Sequence, residues 1–322
     1  MRVTAVINRS GGTVVGGEAA LPERLAAAFA EAGVQANIIF AAPDDLQAAF
    51  EEAAEDEGLD ALIAGGGDGT VSLAAAVAVR AGLTLGLVPL GTLNHLARDA
   101  GIPADLEAAV AVIAAGHAEA IDVGEVNGRI FVNNSSVGLY PLMVRQREAL
   151  RKRLGHSKRL AMLVASVRAL RHFSRHRLTI RVAGREQPVE TPLLFVGNNL
   201  YQTSLLALGQ RSCLQDGALC LYAVLARSRL QLIGLALRGL IGTLDQQRDF
   251  ISITGVRGAE IQSRRAALSV SADGETLHLQ PPLHYRVLPS ALRLLMPQPV
   301  PAAPVEGDRW LLIVYPQSGL TI

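Results

Sequence analysis

Residues 61–73 read ALIAGGGDGTVSL: an apolar run stops at three consecutive glycines, followed by an aspartate, a fourth glycine and a threonine. An apolar run this short, closed by glycine, suits a strand buried on both faces, and the alanine-rich stretch after it has helical texture. Strand, glycines, then helix is the geometry that aims free backbone N–H groups and a helix dipole at phosphate. Read alone, the stretch would equally suit a tight turn with Asp68 at a helix start. Beside a bare phosphate Asp68 makes sense only with a divalent cation between them, or as an acceptor for a loop N–H. Two further loops shift the balance. VPLGTLNH at 88–95 ends a second buried strand in Gly91-Thr92, and VINRSGG at 6–12 supplies a third loop of the same kind. Loops that follow parallel strands meet at one carboxyl edge, where open sheets bind ligands.

The first 120 residues alternate between strands (RVTAVIN, ANIIF, DALIAGG, TLGLVPL) and helical segments at 19–32, 44–57, 70–81 and 104–115. That order predicts an α/β domain with a parallel sheet covered by helices. From residue 121 the texture changes to short strands punctuated by Gly and Asn, at 121–126, 129–134, 178–183, 192–197, 218–225, 251–254, 259–263, 267–271 and 276–279. This second pattern predicts a β-rich antiparallel sandwich. A mostly helical insert at 141–173 interrupts it, and the tail 299–322 has no assignable texture. The expected domains are 1–121 and 122–298.

Charge supports the division. Residues 1–121 carry 16 acids against 5 basic residues, net −11, whereas residues 122–322 carry 13 against 25, net +12. Two halves of opposite sign suit two domains with different partners. Eleven Arg or Lys and a single acid, Glu148, fall within 145–177. Apolar residues interleave with these cations, which suits a peripheral contact with an anionic membrane surface. With Phe173 as the one aromatic there, stacking on single-stranded nucleic acid is disfavoured and no nucleic-acid partner is expected. The two lysines, Lys152 and Lys158, both lie in this stretch, so the lysine of a P-loop and that of a protein-kinase strand are both missing. Cys213 and Cys220 have neither metal-site nor disulfide-framework spacing. The N-terminus lacks a cationic-then-apolar leader, and Arg238 interrupts LQLIGLALRGLIGTL. A cytoplasmic setting is expected.

GGGDGT, PLGTLNHLARDAGIP, DGALCLYAV at 216–224 and ADGE at 272–275 occur in an order that resembles the diacylglycerol kinase catalytic-domain family, soluble bacterial lipid kinases similar to sphingosine and ceramide kinases. The resemblance covers roughly residues 2–298. It implies a nucleotide domain followed by a lipid-binding domain, with ATP in the cleft between, and a return of 284–298 to the first domain. It implies ATP contacts at Asn8, Ser10, Gly11, Gly12, Gly66, Gly67, Asp68, Gly69, Thr70 and Thr92. It places a structural Mg²⁺ on Cys213, Asp216 and Ala218, two of them through backbone carbonyls. It makes Glu275 the base for the lipid hydroxyl, with Asp68 as the other catalytic carboxylate and Asp273 orienting the turn or the metal's water. The chain departs from the family pattern at Arg9, where proline is usual, and at Ser72, Leu73 and His95.

The expected activity is that of an ATP- and Mg²⁺-dependent lipid kinase of phospholipid metabolism, diacylglycerol being the first substrate by family prior. The lipid substrate and the membrane surface are the expected partners, and a homodimer is among the expected assemblies. Two rival readings stand beside it: a small-molecule kinase such as one acting on NAD, and a catalytically weak lipid-binding or regulatory protein.

Overall fold

The computed structural model describes residues 1–10, 20–138, 174–201, 211, 213–241 and 246–298. Gly11, Gly12, most of the basic insert and the tail 299–322 lie outside the described residues.

Four parallel strands build the first layer: β1 (Arg2–Asn8), β2 (Gln35–Ala41), β3 (Ala61–Gly66) and β4 (Thr84–Pro89), in the order β2-β1-β3-β4. Helices cover both faces, as parallel sheets require. These are α1 (Leu21–Glu31), α2 (Leu46–Ala54), α3 (Asp68–Ala81), the short α4 (His95–Asp99) and α5 (Leu106–Ala115). One core packs Leu62, Ala64 and Leu85 against Phe50, Val71 and Ala74. The other packs Ile7 and Ile63 against Leu25, Phe29 and Ile113. Helix α3 begins at Asp68, two residues before the expected start, since Gly67 is its extended N-cap.

The chain then enters antiparallel structure through β5 (Ala118–Val126), β6 (Arg129–Phe131) and β7 (Asn134–Gly138). The single strand expected at 129–134 is thus two, with a corner at Val132-Asn133. There follow β8 (His176–Val182), β9 (Arg185–Thr191), β10 (Leu193–Asn198), β11 (Leu219–Val224), α6 (Arg229–Ile241), α7 (Gln246–Asp249), β12 (Phe250–Val256), β13 (Gly258–Ser263), β14 (Leu268–Ala272), β15 (Glu275–Leu279) and β16 (Leu283–Leu295). Strand β9 escapes the sequence pattern because it is an edge strand, exposed over most of its length and interrupted by Pro188.

Strand β16 joins the two halves. Its last residues pair in parallel with β4, Leu294 opposite Leu85, while its length pairs antiparallel with β5 and its start with β13. One ten-stranded sheet therefore runs from the parallel layer into the antiparallel one. Between Leu288 and Leu292 the β5 register shifts, and Pro289 occupies that irregularity, where no ladder N–H is needed. A separate six-stranded sheet, β12-β11-β10-β7-β14-β15, faces the antiparallel part across a core of Phe131, Val137, Leu194, Val270, Leu283 and Tyr285.

His176, on β8, is buried, and among the described residues its Nδ1 has no hydrogen-bond partner. Burial, assisted by the positive charge of Arg265, pushes its pKa down to about 4. The folded chain resists protonating this ring while the unfolded chain accepts the proton near the ordinary value, so stability is lost as pH falls from 6.5 towards 4. Between pH 7 and pH 5 this group should cost about 2 kcal/mol. Urea unfolding at both pH values checks it: His176→Asn should reduce the pH-dependent loss by about that amount, and an unchanged loss would assign it to other groups.

Candidate active site

Three loops converge at the carboxyl ends of β1, β3 and β4. At the end of β1, Asn8 Nδ2 donates to Thr70 Oγ1 at 3.0 Å, and Asn8 Oδ1 accepts the Ser10 N–H at 2.9 Å. Arg9, where the family usually has proline, donates its backbone N–H to Ala41 O at 3.0 Å, a bond that proline could not form. The β3 and β4 loops touch through bare backbone. A Cβ on Gly91 would lie 2.4 Å from Gly67 Cα, and one on Gly66 would lie 2.5 Å from Thr70 Oγ1. Leu90 N–H donates to Gly66 O at 3.0 Å. Gly91 is therefore required by loop-on-loop packing, and Gly66 by packing against the first turn of the helix that follows it, whatever else approaches them. Gly69 differs: among the described residues, a Cβ there would meet nothing within 4 Å.

Side chains lock this arrangement. Asp68 Oδ1 accepts the His95 N–H at 2.6 Å, tying the start of α3 to the start of α4. Asn94, at φ 47°, closes the β4 loop by bonding both Gly91 N and Gly91 O at 3.0 Å. His95 Nδ1 lies 3.1 Å from Arg98 Nη2; guanidinium only donates, so Nδ1 accepts and Nε2 carries the proton. Thr92 stands exposed at the loop tip.

Behind the loops, the corner between β6 and β7 collects a buried polar network. Arg211 and Asp99 pair at 2.8 Å with side chains 0% and 2% exposed. Arg211 also donates to Val132 O at 2.6 Å and Asn133 Oδ1 at 2.9 Å, and Asn198 Nδ2 donates to Val132 O and Asp122 O. Tyr201 donates its hydroxyl to Asn133 O, and burial pushes its phenol up to about 12. From the other side, Asp273 accepts the N–H groups of Val132, Asn133 and Asn134 at 2.7, 2.8 and 3.1 Å. Its Oδ2 also takes the Ser72 hydroxyl at 2.8 Å, joining this hairpin to α3. Burial raises the Asp273 carboxyl above its ordinary range, while these four hydrogen bonds oppose the shift.

Asp273 and Gly274, at φ 46° and 87°, form the two-residue turn between β14 and β15. Glu275 follows, exposed and opposite Ala272, and strand alternation places it on the Leu277 side of the sheet, with Thr276 on the other. The turn at 213–218 lies against β5 and β16. Asp216 is exposed and accepts Leu200 N–H at 3.1 Å, and Ala218 O accepts Asn199 N–H at 2.9 Å. Asp122 Oδ2 takes Gly217 N–H at 2.6 Å while its Oδ1 takes Ser290 N–H at 2.9 Å, holding this turn to the irregularity in β16. Among the described residues, no group of three His, Cys, Asp or Glu side chains could hold a metal. Magnesium, however, keeps several waters and takes one or two carboxylates, so one exposed carboxylate among backbone carbonyls is a workable donor set.

Comparison with known proteins agrees with this layout. Residues 2–126 match the diacylglycerol kinase catalytic domain, and residues 142–296 match the YegS C-terminal NAD kinase beta sandwich-like domain. "Probable lipid kinase YegS" of Salmonella gallinarum is 30% identical over 251 residues, 76% of this chain and 80% of that protein. The chain belongs to the diacylglycerol kinase catalytic-domain family. A YegS-like member of the family from Citrobacter koseri is 28% identical over 78% of this chain and 83% of its own length. The crystal structure of a diacylglycerol kinase from Bacillus anthracis superposes with a TM-score of 0.65 over 92% of this chain and 97% of that one; at 20% identity this likeness establishes the fold. Family membership makes the chain an enzyme of the kinase class.

The structure brings Asn8, Gly66, Gly67, Asp68, Thr70 and Gly91 to one edge. It holds Asp216 and Glu275 on separate turns of the second half. The sequence analysis did not single out Arg211, Asp99, Asn133 or Asn198, since an arginine and an aspartate 112 residues apart carry no spacing signal. Removing one partner leaves a buried unpaired charge. Arg211→Met alone should therefore cost about 3–5 kcal/mol in urea unfolding, and the joint Arg211→Met, Asp99→Leu change should recover much of the loss. Additive losses in the double variant would show that the pair does not act as a unit.

Proposed function

We propose that this enzyme transfers the γ-phosphoryl group of ATP to a lipid hydroxyl, with Mg²⁺ and a diacylglycerol-like acceptor. The observation that carries the nucleotide half of the reading is the open ground at Gly69. It lies in the first turn of α3, beside a glycine-on-glycine contact that already holds the neighbouring loops. Free N–H groups there can face phosphate oxygens, aided by the helix dipole. In this reading Gly66–Thr70 and Asn8 hold the phosphates and Thr92 contacts the nucleotide from the second loop. Asp68 positions that second loop through His95. Asp216, with the carbonyls of Cys213 and Ala218, would hold a structural Mg²⁺ that fixes the 213–218 turn, and the Mg²⁺ bound with ATP would supply neutralising charge at the phosphates. Glu275, on a hairpin tied to α3 through Asp273 and Ser72, accepts the proton of the lipid hydroxyl as that oxygen attacks the γ-phosphorus and ADP leaves.

The acceptor class rests on the relatives' names and on the basic stretch 145–177. That composition supports peripheral attachment to anionic lipid, and no helix among the described residues is long and apolar enough to cross a membrane. A kinase acting on a soluble dinucleotide would need no vesicles, so dependence on liposomes separates the two readings.

Transfer of labelled phosphate from ATP across a panel of lipids and NAD tests the proposal directly; label on NAD alone would overturn the lipid reading. Gly69→Ala sharpens it. With nothing among the described residues within 4 Å of the added carbon, the variant should match or exceed wild-type stability, by up to about 1 kcal/mol for replacing a helical glycine. Its ATP affinity should nevertheless fall at least about tenfold as the methyl meets phosphate. Unchanged affinity would place the phosphates elsewhere. Glu275→Gln should keep ATP binding and lower turnover by about 10²–10⁴-fold, and full turnover would remove Glu275 from the base role.

A further inference from the structure

Strands β7, β10 and β11 run side by side, with Asn134, Asn198 and Leu219 at the corner end of the sandwich and Gly138, Leu193 and Val224 at the far end. At that far end Thr191 Oγ1 lies 2.9 Å from Val224 O, and Thr191 is the register partner of His176. A Cβ on Gly138 would lie 2.3 Å from Pro192 O and 3.2 Å from a ring carbon of His176. The residues that flank the basic insert, Gly138 and His176, therefore lie together, beside the chain that leads into α6. The loop 264–267 reaches the same place: Ser263 pairs with Leu178, and the charge of Arg265 acts on His176.

Helix α6 is apolar on two opposite sides. Leu232 and Leu235 pack inward with Val224, Ala226 and Phe250. At about 100° per residue, Leu230 and Ile233 point the other way. Leu230 is 80% exposed, and Ile233 and the nearby Leu225 are exposed as well. A helix apolar on both sides, with one side bare, calls for something to cover it. What surrounds the patch says what that is. Arg227 and Arg229 stand exposed at the start of α6, Arg175 and Arg177 at the start of β8, and Arg264 and Arg265 in the loop before β14. Among the described residues of these segments the acids are Glu190, close to Arg175 and Arg177, and Asp249, held by Arg238. Arg229 also sits at a helix N-terminus, where a cation opposes the helix dipole, and the first turn has no acid. Helix propensity therefore gives no reason for a cation there, whereas an anionic partner does.

We propose that this far end of the sandwich is the face by which the protein docks on an anionic lipid bilayer. Leu225, Leu230 and Ile233 enter the boundary between headgroups and acyl chains, and the arginines around them pair with lipid phosphates. A second copy of the chain fits poorly, because a two-fold contact would set arginines against arginines. The inference deepens the lipid reading above and rests on it for the class of partner. It adds the surface and the orientation. Docking at this end leaves the glycine loops at the opposite end, open to water and to a soluble nucleotide. Glu275 stands four residues along β15 from Leu279, which pairs with Leu268 at the docked end. An acceptor hydroxyl therefore rises about 13 Å from that end to meet it.

The test uses the full chain, with the basic stretch intact, and measures two things separately. One is sedimentation with vesicles of phosphatidylcholine alone or mixed with phosphatidylserine. The other is transfer of labelled phosphate from ATP to dispersed dioctanoylglycerol without vesicles. Leu230→Ser with Ile233→Ser should weaken binding to the mixed vesicles at least about tenfold. The melting temperature should hold, since both side chains are exposed. Arg227→Gln with Arg229→Gln should weaken that binding about tenfold at low salt and much less at high salt. Both double variants should keep wild-type kcat/KM for dioctanoylglycerol. Full vesicle affinity in both variants overturns the docking face. So does a wild-type dimer that the leucine–isoleucine variant splits while vesicle affinity holds, which makes the patch a contact between copies. If wild type phosphorylates dioctanoylglycerol but ignores both kinds of vesicle, the face falls and the kinase reading stands. If the variants lose vesicle binding but wild type phosphorylates no lipid, the face stands and the kinase reading falls.

Discussion

The corner at Val132-Asn133-Asn134 is where the chain leaves the ten-stranded sheet for the six-stranded one, and the rest of the structure depends on satisfying it. A buried bend leaves backbone N–H and C=O groups without ladder partners, and each unpaired group is costly. Here the three N–H groups go to a single carboxylate, Asp273, while Val132 O and Asn133 O take donors from Arg211, Asn198 and Tyr201. Because Arg211 in turn binds Asp99 on α4 and Asp273 binds Ser72 on α3, the groups that satisfy the bend also hold the two halves together. A polar residue lost here would disturb the fold and the relative placement of the loops in one step.

A second constraint acts at the loops. Gly67 and Gly91 meet backbone to backbone, so the β3 and β4 loops sit closer than any side chain would allow. The Asp68–His95 hydrogen bond and the double bond of Asn94 to Gly91 hold that closeness. In the reading proposed above, in which these loops hold the nucleotide, this arrangement has a direct consequence. Phosphoryl transfer asks the protein mainly for positioning and for charge stabilisation, and loops fixed before the nucleotide arrives need little reorganisation on binding. The unusual residues fit the same frame: Arg9 offers β2 an N–H that proline would lack, and Ser72 reaches the hairpin of the other half.

Much of this was legible in the chain itself. Apolar runs of strand length alternating with alanine-rich helices specify a parallel, helix-covered sheet, because both faces of such strands must be buried. Glycines following those runs located the candidate site, and the change of texture and charge near residue 121 marked the second half. These signals are local: they depend on a residue and its near neighbours. Tertiary structure alone decided the rest. It split 129–134 at a corner, showed that Gly91 is needed for Gly67, turned Asp68 towards His95, and brought Arg211 to Asp99. It also set Gly138 and His176 together beside the chain leading into α6. Each of these depends on register between strands, or on contact between residues far apart in the chain, and neither is encoded in any short run of sequence.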